Sequence, residues 1–429
     1  MAWQWIQFLA FLLVTGYSLY LFGKVVYRRY LYIKLGKQVE IEKNLDERLR
    51  TFVSQVFGQS KLLKHKKSGI MHVIIFYGFI ILQFGALDII VKGLGADRLP
   101  VPGYHVFNLF QEVTVFLIFL AVGYAAYRRY GEKLPRLKRG KKPSIVIYFI
   151  FSLMLSVLLT LGLERVLHDL SFSWYSPLSS LIAAAFMSVE EMTAQILFYT
   201  FWWAHLLILL AFLVYVPQSK HFHLMVAPIN IFLRRTEPVG QLRSLDLEDE
   251  NAESFGVGKV EDFTQQQMLD FYSCVECGRC TDACPASNTG KMLSPMHLIV
   301  KLRDHLTEKG AAITSKSPWV PQSNYGIHSI QDVDKEQVEW GQGTTIQPTM
   351  TLQQQMWSTS DNNVEELNLV GDVMTEEEIW ACTTCRNCED QCPVGNEHVD
   401  KIVDLRRHLL LMEGSVPHEG QRAMQNIER

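Results

Sequence analysis

The chain has no cysteine outside two short runs. Those runs hold all eight of its cysteines: Cys274, Cys277, Cys280 and Cys284, then Cys382, Cys385, Cys388 and Cys392. Cysteines so confined do not make the disulfide framework of a small secreted fold. The chain also lacks a large excess of either charge. Its 41 Lys and Arg face 44 Asp and Glu, a net −3, so no nucleic-acid partner is implied. Fragments such as GVGK, 256–259, lack the strand–turn–helix setting of a phosphate loop. No internal repeat is found beyond the cysteine runs. The first apolar stretch lacks a basic start and a small-residue cleavage site, so it is not read as a cleaved signal peptide.

What is present begins with spacing. FYSCVECGRCTDACP, 271–285, and CTTCRNCEDQCP, 382–393, each read C-x-x-C-x-x-C-x-x-x-C-P. Thiolates at this spacing hold [4Fe–4S] clusters, the first three of a run on one cluster and the fourth on the other. The expected sets are Cys274, Cys277, Cys280 and Cys392 for one cluster, and Cys382, Cys385, Cys388 and Cys284 for the second. Zinc usually takes pairs of C-x-x-C without a regular third cysteine or a closing proline.

Five stretches are long and apolar enough to span a bilayer, at roughly 4–26, 70–91, 104–127, 145–167 and 196–216. The loop after the first span holds Arg28, Arg29, Lys61, Lys64, Lys66 and Lys67; the loop after the third runs from Arg128 to Lys142 with eight basic residues. The opposite loops have almost none, so the N-terminus is expected outside and the cysteine runs in the cytoplasm. VAPINIFLRR after the fifth span reads as an interfacial helix, and an acidic linker follows. The polar stretch 310–375 reads as an insertion between the cysteine runs. The expected domains are a membrane domain over 1–217, interfacial helix and linker over 218–262, and a two-cluster domain over 263–429.

A histidine inside a span is a functional candidate. His72 lies at the cytoplasmic end of the second span. His205 and His223 are eighteen residues apart. On one continuous helix they would share a face about 27 Å apart, which suits two b-type haems. His72 with His223 is expected on the cytoplasm-proximal haem, and His205 on the outer one. His221 points to the other side of the helix unless Pro217 bends it. His105 and His168 are the weaker candidates for the partner of His205.

The His205–His223 spacing with Pro217 between resembles the last span of the haem-b gamma subunit of respiratory nitrate reductase. That resemblance implies five spans, two haems and two histidines on the second span; here Leu82 stands ten residues after His72. Over nearly the whole chain, LDFYSCVECGRCTDACPASNTGKMLSP and IWACTTCRNCEDQCPVGNEHVDKIVDLRRHLL resemble the iron–sulfur region of heterodisulfide-reductase-related membrane oxidoreductases. GIMH, WWAHLLILL, SKHFH and APINIFLR are similar to the bacterial electron-transfer-flavoprotein:menaquinone oxidoreductases among them. Such proteins usually continue into two cysteine-rich repeats holding a further cluster. No cysteine remains here for them, so the chain is expected to be a piece or to work with a separate cysteine-rich domain or subunit.

The fold expected is an all-α membrane protein, a five-helix cytochrome b domain joined to a cytoplasmic α-helical di-cluster ferredoxin domain, in the bacterial inner membrane and in contact with its lipid. The resemblance implies an oxidoreductase passing electrons from a reduced electron-transfer flavoprotein of fatty acid β-oxidation, through two [4Fe–4S] clusters and haem b, to menaquinone. An alternative is the membrane subunit of a quinol-linked heterodisulfide or sulfite-pathway reductase with reversed flow. A third is a redox sensor or anchor without turnover.

Overall fold

The computed structural model describes residues 2–41, 44–95, 99–137, 141–238, 240–250, 252, 254–317 and 367–427. Most of the insertion expected at 310–375 therefore lies outside the described residues. Its first residues, to Thr314, close a long helix instead.

The described residues form helices and irregular segments, with β-pairing limited to the isolated bridges Lys37–Thr264 and Val370–Met374. In chain order the first helices are α1 Ala2–Ile33, α2 Leu45–Phe52, α3 Ser60–Leu63, α4 Lys66–Gly93, α5 Tyr104–Ala126, α6 Lys141–Leu167, α7 Pro177–Phe186, α8 Glu191–Tyr215 and α9 His223–Leu233. Then come α10 Gln265–Ser273, α11 Arg279–Asp282, α12 Pro285–Asn288, α13 Pro295–Thr314, α14 Glu376–Trp380, α15 Asn387–Gln391, α16 His398–Leu411 and α17 His418–Ile427. Two compact units result. One comprises 1–23, 62–134 and 139–216, and the other 24–61, 135–138 and 217–429.

The first unit holds most of the length of the apolar helices. Five segments, Gln4–Ile33, Lys66–Gly93, Tyr104–Gly131, Ser144–Leu167 and Glu191–Gln218, are long and apolar enough to cross a membrane, at the five places the sequence suggested. Val115, Ile118 and Val122 of α5 pack on Leu153, Met154 and Val157 of α6 and Phe212 of α8. Large apolar side chains such as Leu13, Tyr148 and Leu181 face outward, as lipid-facing residues do. At the α6–α7 crossing a Cβ on Gly162 would stand 2.4 Å from the Ile182 side chain. A residue without one lets the two backbones approach. The short helix α7 is not among the spans read from the sequence. Its first turn is met by the buried carboxylate of Glu112, which accepts from Leu178 N–H at 2.7 Å. A negative group is favourable at a helix N-terminus, where N–H groups lack partners.

The second unit has a core of Phe263, Met268, Phe271, Leu298, Ile299, Leu302, Ile402 and Leu405. Capping boxes start α10, through Thr264 and Gln267, and α14, through Thr375 and Glu378. Buried ion pairs tie the helices together: Lys301–Glu378 at 2.8 Å, and Lys401 with Asp270. Arg28 and Arg29, counted as loop charges in the sequence, are instead buried on α1, where Arg29 donates to Thr307 at 2.7 Å. The α9 helix puts Val226, Ala227, Asn230 and Ile231 inside, with Asn230 donating to Asp270, and leaves Leu224 and Ile229 exposed.

Candidate functional site

Both cysteine loops grow from helix ends in the same way. Cys274 ends α10, and Cys382 follows α14. Two residues on, Glu276 and Thr384 take the same left-handed backbone, φ 55° in each. Directly after the second cysteine of each run, Gly278 and Arg386 are left-handed again, at φ 74° and 59°. One-turn helices, α11 and α15, then carry Cys280 and Cys388. The fourth cysteines are extended, Cys284 at φ −77°, ψ 121° and Cys392 at φ −75°, ψ 116°. The following prolines explain this, because a proline ring clashes with a helical residue before it. Left-handed residues in such loops turn backbone N–H groups toward a common centre.

The loops face one another. Asn387 donates from its side chain to the Ala283 carbonyl at 2.7 Å. Between them lie two cavities. One is lined by Cys274, Cys277, Cys280 and Cys392 together with Met296, Asn396 and His398. The other is lined by Cys382, Cys385, Cys388 and Cys284 with Leu293, Arg386 and Ile402. Each draws three cysteines from one loop and the fourth from the other.

The chemistry of these walls fits a cluster. All eight cysteines are free. Among the described residues no group of three or more His, Cys, Asp or Glu is placed to hold a single metal ion. Burial pushes the Cys274 thiol up to about 12 and Cys392 up to about 11, and it raises Cys280 and Cys388 as well. Thiols so buried ionise when a metal centre supplies positive charge. Backbone N–H groups are already turned on sulfur, Thr384 to Cys382 Sγ and Asn396 to Cys392 Sγ, both at 3.3 Å. His398 is buried in the first cavity's wall. Sequence reasoning passed over Asn396, His398 and Arg386. Nothing in their spacing marks them except closeness to a cysteine run.

The histidines fall in separate places. His72 is on α4 and His205 on α8 in the first unit, whereas His221 and His223 are in the second. The single continuous helix expected to carry His205 and His223 is not formed. The α8 helix stops at Tyr215, and two 3₁₀ turns, Val216–Gln218 and Lys220–Phe222, precede α9. Pro217 lacks the N–H and the room that a helix interior requires. The same break brings the His221 and His223 rings to 6.0 Å, so they do not lie on opposite sides of a helix. His105 packs edge-on against Tyr175 at 4.7 Å, and His168 is exposed just past α6.

Two of these rings are anchored through Nδ1. Ser156 Oγ lies 3.1 Å from the Leu153 carbonyl and 2.8 Å from His205 Nδ1. His223 Nδ1 lies 3.0 Å from the Lys220 carbonyl, which can only accept, so there Nδ1 carries the proton. A proton on Nδ1 is the tautomer in which an iron-ligating histidine presents Nε2.

Apolar helices suited to a membrane, joined in one chain to two interlocked cysteine quartets, define the class as a membrane-associated iron–sulfur protein. The comparisons agree. Over 423 residues, 98% of this chain, it is 54% identical to FadF of Bacillus subtilis, named a probable iron–sulfur-binding oxidoreductase. Over 441 residues, spanning all of this chain, it is 27% identical to the EtfAB:quinone oxidoreductase of Syntrophomonas wolfei. A probable membrane-anchored ferredoxin of Chromohalobacter salexigens is 34% identical over 186 residues, 43% of this chain and 23% of that one. The chain spans 58% of the length of FadF and 57% of the Syntrophomonas protein. No family model and no solved structure matches.

Proposed function

We propose that this chain is the membrane electron-transfer module of an oxidoreductase that takes electrons from a reduced electron-transfer flavoprotein and passes them to menaquinone. The observation that carries the reading is the pair of cavities, each walled by three cysteines of one loop and one of the other. Cys274, Cys277, Cys280 and Cys392 would hold one [4Fe–4S] cluster, and Cys382, Cys385, Cys388 and Cys284 the second. Clusters and haems, when bound, supply one-electron acceptance and release. The chain's own part is to hold them close and aim N–H groups at sulfur.

The haem reading rests on His205, buried on α8, on His223, whose Nδ1 lies on the Lys220 carbonyl, and on His72 by its place near the start of α4. His221, 6.0 Å from His223, is the alternative ligand to it. The donor and the quinone follow the name of the Syntrophomonas relative. Menaquinone and a β-oxidation flavoprotein are the finer form of that reading. The basic residues between the first two apolar helices, Lys61, Lys64, Lys66 and Lys67, support a cytoplasmic cysteine region in a bacterial inner membrane.

The test is compositional first. The full protein, extracted from membranes, should contain about eight iron atoms outside haem, and dithionite should develop a b-type α-band. Reduced electron-transfer flavoprotein should then drive reduction of a menaquinone analogue. Protein without cluster iron would end the proposal. Iron present with no flavoprotein-driven turnover would end the assignment of the donor alone.

A further inference from the structure

The first cysteine of each loop lies under the influence of an arginine, but only one of the two is neutralised. Arg303 on α13 reaches the loop of Cys274 at Glu276, two residues on. Its Nη2 pairs with Glu276 at 2.9 Å and its Nε with Asp304 at 3.0 Å. Arg406 on α16 acts on Cys382. Its hydrogen bonds run to main-chain carbonyls: Nε and Nη2 to Ile379 at 3.0 and 2.7 Å, Nη2 to Trp380 at 3.3 Å and to Cys382 at 2.6 Å. The guanidinium lies 5.0 Å over the Trp380 ring. Among the described residues no carboxylate pairs with it. Of the acids near this loop, Glu389 and Asp400 are paired with Arg386, Glu376 accepts from Trp380 and Ser415, and Asp390 accepts from Gln391. The difference traces to one position. Glu276 and Thr384 occupy the same left-handed place in the two loops, and only the first carries an acid.

We propose that Arg406 sets the redox potential of the second cysteine site, its uncompensated charge on the Cys382 carbonyl favouring the reduced state, while Glu276 cancels the same effect of Arg303 at the first. Adding an electron makes a site more negative. A fixed cation at low dielectric stabilises that state, and a neighbouring carboxylate offsets the cation. Arg406 reaches the site through Cys382, so it is a positioning and potential-setting residue. The inference rests on the cluster assignment proposed above.

The experiment is a redox titration of the full purified protein, with dithionite and mediators, followed by paramagnetic resonance so that the two sites are read separately. In Arg406→Gln the ratio of reduced to oxidised second site at a fixed potential should fall about tenfold, a shift of about 59 mV for one electron. The first site should not move. Arg406→Lys, which keeps the charge, should recover most of the shift. Glu276→Gln should raise the first site's potential. Thr384→Glu, which leaves the guanidinium and its carbonyl bonds intact, should lower the second site's potential and serves if Arg406→Gln does not fold. Loaded sites whose potentials stay put in Thr384→Glu and Glu276→Gln would overturn the proposal alone. An unmodified chain without any cluster signal would overturn the cofactor assignment, and this proposal with it.

Discussion

The two cysteine loops share a backbone and differ in their surroundings. Glu276 and Thr384, Gly278 and Arg386, Cys284 and Cys392 match in conformation. Yet Cys274, Cys280 and Cys284 of the first run are buried with Cys277 half-buried, whereas in the second Cys382 is half-buried and Cys385 exposed. The left-handed residue after the second cysteine shows the same divergence. Gly278 has no side chain, because a Cβ there would lie 2.7 Å from Arg136 Cβ and 2.9 Å from the Arg136 carbonyl. Arg386 has one, and it pairs with Glu389 at 3.0 Å and Asp400 at 2.7 Å. A ligand spacing thus specifies a loop, while what packs outside the loop specifies how the bound group behaves.

The largest expected effect breaks the exchange of fourth ligands. Cys284→Ser should perturb the site of Cys382, Cys385 and Cys388, and Cys392→Ser that of Cys274, Cys277 and Cys280, each read by paramagnetic resonance. Loss confined to the mutated residue's own run would mean the loops do not trade ligands.

Next comes exposure. With Cys385 open to solvent, an iron chelator under mild oxidation should remove the second site's signal several-fold faster than the first's. Equal rates would mean that access does not separate the two.

Backbone tolerance should differ by less. Gly278→Ala adds a Cβ against Arg136 at a left-handed position and should lower stability by about 1–3 kcal/mol. Arg386→Gly relaxes the same conformation while losing two ion pairs and should cost no more than about 1 kcal/mol. Thermal unfolding of the two variants decides it, and a cheaper change at Gly278 would contradict the close approach seen there.

The smallest effect concerns the bond between the loops. Asn387→Ala removes the exposed hydrogen bond to Ala283 and should cost at most about 1 kcal/mol. A larger loss in denaturant titration would mark that contact as a main tie between the two loops.

Much of this was open to reading along the chain. The five apolar segments stand out because a bilayer demands about 20 apolar residues in succession. The prolines after Cys284 and Cys392 announce extended cysteines by local clash. Pro217 was visible too, and a bend there was allowed for, but the face shared by His205 and His223 required one continuous helix, which the 3₁₀ turns around Pro217 interrupt. Counting Arg28 and Arg29 as loop charges failed for another reason. Whether an arginine is solvated or buried on Thr307 depends on a helix nearly 280 residues away.

By itself the sequence determined the local matters: which residues are cysteines and at what spacing, where apolar length suffices for a span, and where proline stops a helix. These depend on neighbours within a few residues. Only the tertiary structure decided that Ser156 meets His205, that His398 stands in the wall of one cysteine cavity, and that Arg406 binds the Cys382 carbonyl with no acid paired to it among the described residues while Arg303 pairs with Glu276 of the first loop. Those partners are brought together by packing between helices distant in the chain. Charge, burial and hydrogen bonding act through space, so no spacing rule along one strand of residues contains them.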